Sequence, residues 1–203
     1  MKQTRRKYIE LYKEYHARSE KAYPGNSFRR EGWEAVTQLI TETSPTTLLD
    51  YGCGKGLQYH DEKLHEPWGI MPTLYDPGFP EYEILPEGPF DGIYSTDVME
   101  HIPEQVIPSV FEWIFSNATK FVFLGICTRL AFARLPNGEN AHCTVKPHEW
   151  WAEKVREHNK NNIYTHLKCY GDSDGYEIFR DGESTLKYNY KNKTFIPDYA
   201  SKI

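Results

Sequence analysis

Apolar positions recur along this chain in two rhythms, one with the period of a helix and one of short continuous runs, and the two take turns from end to end. Residues 4–23 carry Tyr8, Leu11, Tyr12 and Tyr15 at helical spacing, and Pro24-Gly25-Asn26 then breaks the pattern. A second helix is predicted from about residue 30 to 41, burying Trp33, Val36, Leu39 and Ile40 and ending at Ser44-Pro45. Thr46-Thr47-Leu48-Leu49-Asp50 is a β-branched and apolar run that stops at a glycine cluster, as a buried parallel strand entering a turn should. Residues 72–76, 83–85 and 91–95 read as three more strands, residues 103–116 as a helix, and 120–126 as the most apolar strand, which belongs in the middle of a sheet. After a helix at 149–159, residues 163–169 and 176–180 form an antiparallel pair across the turn Gly171-Asp172-Ser173-Asp174-Gly175. Such an order predicts a mostly parallel sheet with helices on its faces, finished by a hairpin.

The chemistry concentrates in Asp50-Tyr51-Gly52-Cys53-Gly54-Lys55-Gly56, directly after the first strand. Glycines there let the backbone turn sharply and come close to a ligand. The dinucleotide fingerprint G-x-G-x-x-G fails, because the third position after Gly54 is Leu57, and no G-x-x-x-x-G-K-[ST] phosphate loop occurs. Asp50 would repel a pyrophosphate but can accept hydrogen bonds from an ammonium. Asp76 closes the second strand at the same sheet edge, where an acidic residue can bind both hydroxyls of a ribose.

Together with Asp76, the segments Leu48-Leu49-Asp50-Tyr51-Gly52-Cys53-Gly54-Lys55-Gly56 and Phe90-Asp91-Gly92-Ile93-Tyr94-Ser95-Thr96-Asp97-Val98-Met99-Glu100-His101-Ile102-Pro103 make the chain resemble class I methyltransferases that use S-adenosylmethionine (SAM). The resemblance implies a three-layer Rossmann-like α/β fold with a mostly parallel seven-stranded sheet, a C-terminal antiparallel hairpin and helices on both faces. It also implies SAM as cofactor, with S-adenosylhomocysteine as product. Asp50, Tyr51, Gly52, Cys53 and Gly54 would wrap the cofactor, Asp76 and Pro77 would meet the ribose, and Ser95, Thr96 and Asp97 would line the methyl-transfer face. Two departures stand out. The third strand is short and lacks the family's usual acidic residue, and Pro77 tightens the turn after Asp76.

Composition narrows the setting. At 203 residues the chain has the size of one ordinary domain, read as residues 1–45 forming a helical cover and 129–151 a substrate lid. No apolar run reaches the roughly 20 residues of a membrane span and no signal-peptide core is present, so a cytoplasmic protein is expected. Cys53, Cys127, Cys143 and Cys169 form no C-x-x-C pair and are expected to be reduced. Basic residues crowd the first thirty positions although the net charge is -5, a pattern that fits a solvated helix face better than a nucleic-acid arm. Tyr23, Phe28 and Trp33 stand where many relatives place a cover over the cofactor.

Methyl transfer from a sulfonium is an in-line displacement, so alignment of nucleophile, methyl and sulfur is the main task. A hydroxyl acceptor also needs a base near neutral pH; His101 and His142 are the candidates, with Asp97 and Glu100 able to orient an imidazole or bind the acceptor. His101, His142, Cys143 and His148 lack the close pairs of usual zinc sites, so no metal is expected. Arg129, Asn137, Asn140, His142 and the pair Trp150-Trp151 suggest a polar acceptor, a small molecule or sugar methylated on O or N. The rivals are RNA or protein methylation and a catalytically silent SAM-binding subunit. DNA base methylation is disfavoured, since Ser95-Thr96-Asp97-Val98 replaces the D-P-P-Y segment and no cysteine follows a proline.

Overall fold

The computed structural model describes residues 2–18, 24, 25 and 27–189. Helix α1 (Lys2–Ala17) is followed by α2 (Ser27–Glu31) and α3 (Trp33–Thr43), then β1 (Leu48–Tyr51), α4 (Leu57–His60), β2 (Thr73–Tyr75), β3 (Phe90–Thr96), α5 (Ile107–Asn117), β4 (Ala118–Cys127), α6 (His148–His158), β5 (Tyr164–Tyr170), β6 (Gly175–Arg180) and β7 (Glu183–Asn189). The seven strands lie in the order β2-β1-β3-β4-β5-β6-β7, parallel from β2 to β5 and antiparallel from β5 to β7. β4 therefore occupies the centre, where its apolar run is covered on both faces.

Period-two alternation divides the core between those faces. Ile93, Val122, Leu124 and Ile126 pack on one side with Phe111, Ile114, Trp151 and Val155 of α5 and α6. Tyr94, Phe121 and Phe123 point the other way, to Phe28, Val36, Leu39 and Tyr59 of α2, α3 and α4. Both layers are thus fixed by neighbouring residues of the same strands. This is the three-layer Rossmann-like arrangement expected from the sequence.

Four local expectations change. The first helix is assigned over Lys2–Ala17, and residues 19–23, including Tyr23, lie outside the described residues. Residues 83–85 are not a strand: prolines at 80 and 86 bound the stretch and prevent a ladder from extending beyond it, Ile84 is 79% exposed, and Glu83 instead pairs with Lys13 of α1. The seventh strand is β7, a polar edge strand whose exposed Glu183, Ser184 and Thr185 hid it from a hydrophobicity reading. The helix expected at 30–41 is two, α2 and α3, meeting at Gly32, where a Cβ would come within 2.8 Å of Thr96 Oγ1. Among the described residues no helix is long and apolar enough to cross a membrane.

Candidate active site

The C-terminal ends of β1, β2 and β3 open onto one cavity of about 200 Å³, roofed by α1. The floor begins with the turn after β1. Gly52 and Cys53 donate their N–H groups to the Tyr75 carbonyl at 2.7 and 3.1 Å, which hangs the turn on the end of β2. Gly52 has φ +93°, and a Cβ there would lie 2.3 Å from Val98 Cγ2; the position requires glycine for conformation and for space. Gly54, at φ +59°, donates to Asp76 Oδ2 at 2.9 Å, while Gly78 N–H donates to Asp76 Oδ1 at 2.8 Å. Two backbone donors therefore aim the Asp76 carboxylate into the cavity.

Asp50 sits deeper. Its Oδ2 accepts from the Tyr59 hydroxyl at 2.6 Å and from Gln58 Nε2 at 3.1 Å, and Tyr59 also meets the Tyr94 hydroxyl at 2.7 Å. Burial pushes Asp50 up to about 7, against the pull of the Tyr59 and Gln58 hydrogen bonds. Burial likewise raises Asp76 to about 6, opposed by the Gly78 and Gly54 N–H groups. Two buried polar atoms of residues that line the cavity have no hydrogen-bond partner: Gln58 Oε1, whose amide nitrogen reaches Asp50, and Thr96 Oγ1 at the end of β3. Low polarity, two carboxylates and unsatisfied acceptors make a pocket that favours a cation with hydroxyl and amine donors.

The opposite wall comes from β3 and the turns after it. Asp97 has φ +62° and holds its carboxylate between the Ser27 hydroxyl at 2.9 Å and the Tyr170 hydroxyl at 2.8 Å. Burial raises Asp97, but His101, a hydrogen bond with Glu100 and those from Tyr170 and Ser27 outweigh it and keep the acid below its usual range. His101 Nδ1 lies 2.9 Å from the Ala141 carbonyl, which can only accept, so Nδ1 carries the proton. Burial first, and His142 second, push His101 down to about 4.

Of the residues singled out in the sequence, Asp50, Tyr51, Gly52, Gly54, Asp76, Pro77, Thr96, Asp97 and His101 line the cavity. Cys53, Ser95 and His142 are not among its lining residues. Cys53 is buried in the turn, and Ser95 donates to the Tyr51 carbonyl at 2.7 Å, bracing β1 against β3. His142 packs edge-on against His101 at 4.7 Å, with its Nδ1 2.6 Å from the Arg129 carbonyl. The polar residues of the expected lid serve the lid itself: Asn140 exchanges hydrogen bonds with the backbone of Ala131 and accepts from His142 N–H. Trp151 is buried against Phe111 in the core, and Trp150 packs under Lys146 and Lys154. Trp33 joins the core and donates to the Leu64 carbonyl, whereas Phe28 stacks on Tyr94 and reaches the cavity.

The sequence predicts a cover over residues 1–45 but does not single out the side chains of α1 that line the cavity. Arg5, Tyr8, Ile9, Tyr12 and His16 line the cavity at the i, i+3, i+4, i+7, i+11 spacing of one helix face, a stripe visible in the sequence but mixed in polarity. The Tyr12 hydroxyl ties α1 to the carbonyls of His101 and Ala141, both at 2.8 Å, and Tyr8 and Lys7 meet Glu139 at 2.6 and 3.2 Å. Gln58 was missed as well, and so was Gly25, where a Cβ would stand 2.0 Å from Gln58 Oε1.

A family model described as a methyltransferase domain matches residues 25–171, a span that contains the glycine turn, Asp76, the β3 wall and the segment after β4. No curated protein and no solved structure matches the sequence.

Proposed function

The chain belongs to the class I methyltransferase family, whose domain model covers residues 25–171, and from that premise we propose that it moves a methyl group from SAM to an oxygen or nitrogen of a polar small molecule or sugar. The observation that carries this reading is the convergence of Gly52, Gly54, Asp50 and Asp76 on one cavity at the strand ends. Asp76, aimed by two N–H groups, keeps a second lone pair on each oxygen for ribose hydroxyls. Gln58 Oε1 and the Asp50 carboxylate offer acceptors to an ammonium, and the backbone at Gly52 and Gly54 lies open to the methionine portion. The cofactor supplies an electrophilic methyl on a cationic sulfur.

This chain's own residues then have three tasks. The apolar wall of Val98, Ile102 and Val106 excludes water from one side of the cavity, α1 covers it, and Asp97 and His101 present polar atoms where an acceptor can be oriented. His101, with its proton on Nδ1, has a lone pair on Nε2 and can take a proton from a hydroxyl acceptor. The titratable and hydroxyl groups of Asp97, His101, Arg5, Tyr8 and Tyr12 around one cavity support a polar acceptor over a lipid.

Calorimetry with SAM, S-adenosylhomocysteine and NAD tests the cofactor. Association with the first two and not with NAD is expected; heat with NAD alone would overturn the assignment. Incubation with labelled SAM and fractionated small-molecule, RNA and protein extracts tests the acceptor, and label appearing only in macromolecules would refute the small-molecule reading.

A further inference from the structure

Behind the cavity wall, the ends of β3 and β4 and the segment after β4 bring together Asp97, Glu100, Cys127 and His142, whose donor atoms all lie within 4.8 Å of one another. Glu100, Cys127 and His142 are buried. Glu100 Oε1 accepts the Cys127 N–H at 2.7 Å, but its Oε2 is enclosed without any hydrogen-bond partner. After burial, the group that acts most strongly on Glu100 is the Asp97 carboxyl, through its charge and a side-chain hydrogen bond. Two carboxyl groups this close, that of Glu100 buried and that of Asp97 half-buried at the cavity wall, favour a positive centre between them, either a proton or a metal ion.

The donor set distinguishes these occupants. The Arg129 carbonyl fixes the His142 proton on Nδ1 and leaves the lone pair on Nε2. Ser27 and Tyr170 hold the Asp97 carboxylate, and the Cys127 N–H holds that of Glu100. Imidazole and both carboxylates are thus oriented by outer hydrogen-bond partners, as metal ligands characteristically are. Around a tetrahedral zinc ion, with bonds of about 2.0–2.3 Å, ligand atoms stand about 3.3–3.8 Å apart. A set already within 4.8 Å reaches that geometry by side-chain shifts of about 1 Å or less.

We propose that Asp97, Glu100, Cys127 and His142 form a closed binding site for a divalent transition-metal ion, best matched by zinc. One thiolate and one imidazole select against magnesium and calcium, which prefer oxygen alone. Four protein ligands leave no open position, so the ion fastens the segment after β4 to the strand ends and does not activate water. Glu100, Cys127 and His142 stay outside the cavity lining, which places the ion behind the wall that Asp97 and His101 present. The close-pair spacing argument against a metal does not reach such a site, because the fold gathers its ligands from β3, β4 and a later loop.

The test uses the full chain, stripped with a chelator and titrated with cobalt(II) and then zinc(II). One cobalt per chain is expected, with a thiolate-to-cobalt charge-transfer band that zinc abolishes, and zinc should raise the melting temperature. Cys127→Ser, nearly isosteric, should remove the band and weaken metal binding by about 100-fold, and Glu100→Gln should weaken it by at least about ten-fold. No cobalt uptake by the wild type would overturn the proposal in favour of a shared proton. Uptake without the band, or unchanged in both variants, would equally overturn it. If a variant fails to fold by circular dichroism, wild-type stoichiometry and spectrum decide. SAM association, measured by calorimetry on the same samples, reports on the methyl donor separately.

Discussion

Cofactor affinity should depend steeply on pH, because two of the carboxyl groups that line the cavity are raised into the experimental range. Asp50 stands at about 7 and Asp76 at about 6, burial being the chief cause in each. A cationic ligand needs both ionised. Treated as two independent acids, they are ionised together in about three-quarters of molecules at pH 7.5 and in about one in 130 at pH 5.5. The dissociation constant should therefore rise about 100-fold across that interval, equivalent to about 2.8 kcal/mol. Below pH 7.5 the ligand's own α-amine, with an ordinary pKa of about 7.7–8.0, stays largely protonated and contributes little to the change. Titration calorimetry with S-adenosylhomocysteine in buffers of different ionisation enthalpy would also record proton release on binding near neutral pH. Asp50→Asn should weaken binding at pH 7.5 and reduce the remaining pH dependence to about four-fold, the part belonging to Asp76. A dissociation constant that stays flat from pH 5.5 to 7.5 would refute the placement of a cation against these acids.

The same shifts act on folding with opposite sign. Without ligand, a raised acid contributes stability below its unfolded value of 3.8 and loses it as pH rises through about 6 for Asp76 and about 7 for Asp50; Asp50→Asn should melt higher than wild type above pH 7 in the absence of ligand, and an equal or lower melting temperature would contradict the burial argument. Gly54→Arg, whose backbone at φ +59° an arginine can still adopt at a cost of about 1–2 kcal/mol, should abolish SAM binding while circular dichroism remains native. Asp76→Ala should weaken SAM binding by about ten-fold or more through loss of charged hydrogen bonds, and unchanged affinity in both variants would remove the site assignment. His101→Ala should lower kcat by about 100-fold with SAM affinity nearly unchanged, and wild-type turnover would eliminate it as the base.

What could be read from the sequence was whatever local pattern alone determines. The continuous run at the centre of β4 and the alternation through Ile93 and Tyr94 carry the sheet and its two helical layers, because each such side chain has one face to bury itself on. The glycine turn and Asp76 were legible for the same reason: a strand that stops at Gly52 puts the next residues at the sheet edge whatever the rest of the chain does. Residues 83–85 show where this fails. Their short apolar character resembled a strand, but prolines on both sides leave no room for a ladder to extend, and Glu83 found Lys13 of α1 instead.

A cover over 1–45 and the residues after β3 were named from the sequence, but the contacts that join them were hidden because they depend on which distant segments meet. Tyr12 and Tyr8 have the spacing of an ordinary amphipathic helix, and nothing nearby in the chain says that their hydroxyls end on His101, Ala141 and Glu139. His142 illustrates the converse: its place in a polar loop suggested an acceptor-facing base, yet the Arg129 carbonyl and the His101 ring hold it behind the wall. A buried imidazole so held can orient His101 but cannot reach a ligand in the cavity without releasing one of those partners. His142 therefore bears on the cavity only through the position of the His101 ring.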